Sequence, residues 1–209
     1  MALCALFDEK GPAEPTLCEG WRTADLAAHL VLRERRPDAA AGLMGGPLAA
    51  HTRRVNQALA TKVPFPHLVE MIRTGPPPLS PMRLPGLDSR LNLVEFFTHH
   101  EDVRRGGDGW QPRDLRDGLP DALWQRLRGS KLLFRRSPVG VELARDDVTA
   151  DPGVRQVRMT ARARTPVVTV TGHPAELMLW ALGRTAAATV RLDGSAEAVR
   201  QLTVARRGV

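Results

Sequence analysis

Glu95 and His99 stand four residues apart in LNLVEFFTHHEDVRR, residues 91–105. In a helix turning about 100° per residue, their side chains lie about 40° apart on one face. That is the separation at which two side chains on successive turns converge on one metal ion. By the same count His100 points about 140° away from Glu95, which makes His99 the candidate ligand rather than His100. Asp88, Asn92, Glu95, His99 and Asp102 form one polar stripe, bordered by Leu91, Phe96 and Val103. A polar row between large apolar residues is costly to bury unless something satisfies it. A metal ion with carboxylates behind its ligands would do so; a solvated helix face with an incidental Glu–His pair would show the same spacing.

A second segment, TADLAAHLVLRERR (23–36), sets Asp25, His29 and Arg33 in line at i, i+4 and i+8, between Leu26 and Leu32. A lone histidine on such a face reads as a core residue. Two helices, each turning a histidine inward beside acids, point instead to one shared site. The expected ligands are His29, Glu95 and His99, with Asp25 and Asp102 orienting the histidines. Three protein ligands leave coordination positions open, the arrangement of catalytic rather than closed structural sites. Zinc fits this donor set best, and nickel, iron and manganese are compatible with it by ligand type. Arg33 is the nearest candidate for holding a substrate anion, ahead of Arg90 and Arg104; no residue is singled out as the catalytic acid, base or nucleophile. His51, His67 and His173 lack such company and are expected on the surface or in loops. Cys4 and Cys18 sit in no CxxC pair and read as reduced thiols, mostly core.

Helices must position these residues. An apolar helical fragment at the N-terminus is broken by 11–15, and Thr23 offers an N-cap to a helix that ends near Arg36, before Pro37. Helical stretches follow at 48–61 and 66–73, then a proline-rich loop at 75–86. Asp88 or Ser89 starts the helix that carries Glu95 and His99, and Gly106-Gly107 stops it. Another helix is expected from Arg113 or Pro120 to Leu133. After Ser137 the pattern turns β-rich, with strands at 139–143, 154–161 and 167–171, a helix at 174–182, a strand at 188–192 and a closing helix at 196–202. The expected fold is α then α+β: a helical bundle over 1–135 and a small α+β domain over 136–209.

Composition narrows the classes. The chain of 209 residues is 43% hydrophobic and 25% charged, ordinary for a globular protein. No apolar run approaches the ~20 residues needed to span a bilayer, and the N-terminus has no signal-peptide pattern, so a cytoplasmic address without a membrane partner is expected. The formal charge of +7 raises nucleic acid as a partner. Yet the arginines are scattered, and with no Tyr and five Phe there is little for bases to stack on. A solvated basic surface is the better reading.

Four segments carry a family resemblance: PTLCEGWRTADLAAHLVLRERRPDA (15–39), NLVEFFTHHEDVRR (92–105), SPVGVEL (137–143) and HPAELMLWALGR (173–184). Together they resemble the actinobacterial mycothiol-dependent maleylpyruvate isomerase family, and more closely an uncharacterised branch of it described as metal-binding. The resemblance implies a DinB-like four-helix bundle followed by a sterol-carrier-like domain; the sequence departs from it in a first helix that reads as shorter than the family's. It implies the ligand set His29, Glu95 and His99. It also implies a low-molecular-weight thiol such as mycothiol, held as thiolate for attack on an electrophilic substrate by a transferase or isomerase. The arginines that would bind a diacid in the family are not matched here. A non-catalytic metal-binding or ligand-sensing protein is the alternative from another class; a carrier of apolar ligands around Leu177, Leu179 and Trp180 is a third.

Overall fold

The computed structural model describes residues 2–43, 45–78, 88–115, 118–147 and 157–205. Most of the expected proline-rich loop at 75–86, and the start of the expected strand at 154–161, lie outside them. The chain divides into two compact units, Met1–Trp110 and Gln111–Val209.

The first unit is helical: α1 (Ala2–Lys10), α2 (Thr23–Arg35), α3 (Pro37–Ala40), α4 (Ala49–Lys62), α5 (Phe65–Arg73) and α6 (Asp88–Arg104). Its core gathers Leu3, Cys4 and Phe7 of α1, Leu26, Ala27, Ala28, Leu30 and Val31 of α2, Leu68, Val69 and Ile72 of α5, and Val103 of α6. Thus α2 is buried on more than one side, packing against both α4 and α5, while α1 packs against α5 and α6. The small residues Ala27 and Ala28 allow that central position. The N-cap falls one residue earlier than expected. Arg22 occupies the N-cap and Thr23 is the first helical residue, its hydroxyl turned to donate to the Gly11 carbonyl. Asp25 does the capping, accepting from Arg22 N at 2.9 Å.

The second unit holds α7 (Leu119–Leu127), a 3-10 turn (Arg128–Leu132), β1 (Gly140–Arg145), β2 (Arg158–Arg162), β3 (Val167–Gly172), α8 (Pro174–Ala181), a 3-10 turn (Thr185–Ala187), β4 (Arg191–Asp193) and α9 (Ala196–Val204). The strands form one sheet in the order β2-β1-β3-β4. β1 runs parallel to β3, with Val141 opposite Val168 and Leu143 opposite Val170, and antiparallel to β2; β4 closes the edge antiparallel to β3. α8 packs on α7, β1 and β3, and Trp180 stacks on Phe134 with ring centroids 5.7 Å apart. Gly183, at φ 90°, ends α8 in the left-handed region that favours glycine.

Three details differ from the sequence reading. The division falls at 110/111 rather than 135/136, so α7 belongs with the sheet, against α8. The helix expected up to Leu133 changes to 3-10 geometry from Arg128, where Gly129 weakens it. The strand expected at 188–192 starts only at Arg191, because the Thr189 backbone N–H donates to Glu176 Oε2 of α8, 2.9 Å away, instead of joining the sheet.

Candidate metal centre

α2 and α6 bring His29, Glu95 and His99 together. Both imidazoles meet one carboxylate oxygen: His29 Nε2 lies 3.1 Å from Glu95 Oε1, and His99 Nε2 lies 3.2 Å from the same atom. The two rings stand edge to face, centroids 5.1 Å apart. A tetrahedral zinc ion with ordinary N and O bond lengths needs ligand atoms about 3.3 Å apart. The two observed separations lie close to that spacing, and all three donor atoms fall within 4.8 Å of one another. The residues present therefore fit a divalent ion, with three protein donors, one fewer than tetrahedral coordination takes.

Asp102 takes the other side of His99. Its Oδ2 is 2.9 Å from His99 Nδ1, and the carboxylate is fully buried. This contact fixes the ring so that Nε2 faces Glu95. The expected partner of His29 is not in place. Asp25 is engaged at the N-terminus of α2, and His29 Nδ1 is buried without a hydrogen-bond partner. The i, i+4 spacing put Asp25 and His29 on one face, but an acid at the third helical position can equally turn back to the first free N–H. Arg33 extends the site: its Nε is 3.7 Å from Glu95 Oε1, and its Nη1 donates to Asn92 Oδ1 at 2.6 Å.

The loop between α1 and α2 supplies two residues that helix counting did not place. Cys18 Sγ donates to Asp102 Oδ2 at 3.3 Å, and the Trp21 ring lies 5.3 Å from that of His29. The loop is tied by a bridge between Pro15 and Arg22, by Thr16 Oγ1 donating to the Trp21 carbonyl at 2.9 Å, and by Leu17 N donating to the Asp102 carbonyl at 3.0 Å. It also passes the end of α6 closely: a Cβ on Gly106 would sit 2.2 Å from the Pro15 carbonyl oxygen. The segment TLCEGW just ahead of the His29 helix was the available signal.

Burial and partners pull the charges in opposite directions. Burial favours the neutral form of His29 and lowers its pKa, overriding the hydrogen bond to Glu95. Burial opposes the charge on His99 as well, but contacts with Asp102, Cys18 and Glu95 prevail and raise its pKa well above the ordinary value. Burial would raise Glu95, yet its bonds to the two histidines outweigh this and hold it well below the ordinary carboxylate range. A cation is already the preferred company of this carboxylate.

The remaining candidates separate from the site. His100 lies 3.6 Å from Glu101 Oε1, and Arg104 pairs with the same Glu101 at 3.0 Å. His51 approaches Asp38 at 3.3 Å, His67 is exposed, and His173 caps α8 by accepting from Ala175 N at 3.2 Å. The Arg90 side chain lies outside the described residues. Among the described residues, no helix is long and apolar enough to cross a membrane. In comparison with known proteins, the chain matches no family model, no curated protein and no solved structure.

Proposed function

We propose that this protein is a divalent-metal-dependent enzyme, a transferase or isomerase using a low-molecular-weight thiol such as mycothiol, and working in the cytoplasm. The observation that carries this reading is the convergence of His29 Nε2 and His99 Nε2 on Glu95 Oε1 at 3.1 and 3.2 Å. A bound zinc-like ion would supply the positive charge that holds a thiol as thiolate, the nucleophilic form. His29, Glu95 and His99 would hold that ion, and Asp102 would keep His99 in the binding tautomer. Arg33, beside Glu95, would bind an anionic group of the electrophilic substrate. Trp21, packed near the His29 ring, would keep water from one side. The reading takes the helical unit as a DinB-like bundle and the second unit as sterol-carrier-like, after the sequence resemblance to the mycothiol-dependent maleylpyruvate isomerase family.

A non-catalytic metal-binding or ligand-sensing protein is the second reading. The observation favouring it is the pair Cys18 and Asp102, extra donors beside His99 that could close a coordination shell. Those donors meet His99 at Nδ1, however, whereas Glu95 meets it at Nε2.

Elemental mass spectrometry on the purified full chain, wild type beside His29→Ala, tests the first claim. Loss of one ion per chain in the variant is expected, since removing a direct ligand undoes most of the binding energy. Calorimetry with mycothiol then tests the second. A metal-loaded protein with no measurable affinity for mycothiol or related thiols would remove the thiol-dependent enzyme and leave the metal-binding protein.

A further inference from the structure

His99 belongs to two donor groups at once. Through Nε2 it joins His29 and Glu95; through Nδ1 it joins Cys18 and Asp102. In the second group Asp102 Oδ2 is 2.9 Å from His99 Nδ1 and 3.3 Å from Cys18 Sγ. A tetrahedral zinc-like ion bound by thiolate, imidazole and carboxylate sets N···O about 3.3 Å and S···O about 3.5 Å apart. These two separations need to open by only a few tenths of an ångström to admit one, and all three donor atoms already lie within 4.8 Å of one another. Asp102 is fully buried and His99 nearly so, while Cys18 is half-exposed and gives a way in.

From this arrangement we infer that Cys18, Asp102 and His99 Nδ1 form a second cation position, which takes a thiophilic divalent ion such as zinc, cobalt or cadmium on the far side of the His99 ring. A thiolate among the donors selects these over magnesium or calcium, which prefer all-oxygen shells. The sharing of His99 rests on the reading of the first position, but the second group stands on its own donors. Its charge also closes. With both positions filled, the Cys18 thiolate, the Asp102 and Glu95 carboxylates and a bridging His99 imidazolate balance two dications. The Sγ and Nδ1 protons pass to solvent as the second ion binds. If the first position is empty, Nε2 keeps a proton and the Cys18 group still offers three donors. The bland reading of the same contacts is a hydrogen-bond relay in which Cys18 and Asp102 only orient His99.

Titration of the metal-free full chain with Co(II), followed by its absorption, decides between them. Two ions per chain are expected, one of them producing a thiolate-to-cobalt charge-transfer band in the near ultraviolet. Cys18→Ser should abolish the band and leave one ion. His29→Ala should leave one ion and keep the band, which separates failure at this position from failure at the His29–Glu95–His99 group. Asp102→Asn, a second route should Cys18→Ser not fold, should weaken cobalt binding at the band-producing position at least tenfold. No band in the wild type, a band that survives Cys18→Ser, or a single band-producing ion that is lost in His29→Ala would each overturn the proposal.

Discussion

Along α8 every residue from Pro174 to Ala181 is buried, and all but Glu176 are apolar. In the second half of α6 Phe97, Thr98, His99, Glu101, Asp102 and Val103 are buried as well, yet most of them are polar or charged. The two helices reach the same burial by opposite means. α8 gains from leaving water and from close contact, so its residues need only fit. Each buried polar group of α6 must find a particular partner or destabilise the fold. Asp102 therefore has His99 and Cys18, and Glu101 has Arg104 and Arg105, the latter at 2.6 Å. Apolar burial specifies a shape, while polar burial specifies neighbours. The candidate chemistry lies where burial is costliest.

Substitutions in the two helices sharpen this contrast. Trp180→Ala should cost about 3–5 kcal/mol in guanidinium denaturation, the loss typical of a large buried ring; a change under about 1 kcal/mol would remove α8 as a source of stability. Asp102→Asn should lower metal affinity at the His29–Glu95–His99 group by about 10–100-fold in competition with a chelator, as loss of a carboxylate behind a ligand histidine does. Unchanged affinity would mean that Asp102 does not orient His99.

Acid should act on α6 through Glu95. Its folded-state pKa is depressed, so ionised Glu95 stabilises the metal-free protein above its ordinary value of 4.5, and that contribution fades as pH falls through the folded-state value. Melting temperature against pH should therefore drop on acidification below about 4.5, and Glu95→Gln should flatten part of that limb. An unaltered profile would place the acid sensitivity elsewhere. The smallest expected effect lies outside both helices. Ser195 caps α9 by accepting from Ala198 N at 3.3 Å, and Ser195→Ala should cost about 1 kcal/mol in the same denaturation assay.

The sequence was most legible where one rule acted alone. The 3.6-residue period separated His99 from His100, and the structure has His99 beside Glu95 while His100 turns to Glu101. The alternation of VVTVT and the spacing of PAELMLWAL marked β3 and α8 to within a residue. Legibility failed where two rules competed for one residue. Asp25 could line up with His29 or cap α2, and the free N–H groups of the helix end took it. Thr189 could join a sheet edge or reach Glu176, and the buried carboxylate drew its N–H away. Cys18 and Trp21 approach the site through a loop, whose path follows no period. Their contacts with Asp102 and His29 depend on tertiary packing that spacing does not encode.

Gly106 gives that packing an adjustable dimension. Where the loop crosses the end of α6, its clearance is less than one methyl group, measured against the Pro15 carbonyl. Each atom added at position 106 would act as a shim, lifting the loop and drawing Cys18 away from Asp102 while leaving every donor atom chemically unchanged. Access to the His99 ring could thus be tuned from a residue that has no side chain of its own.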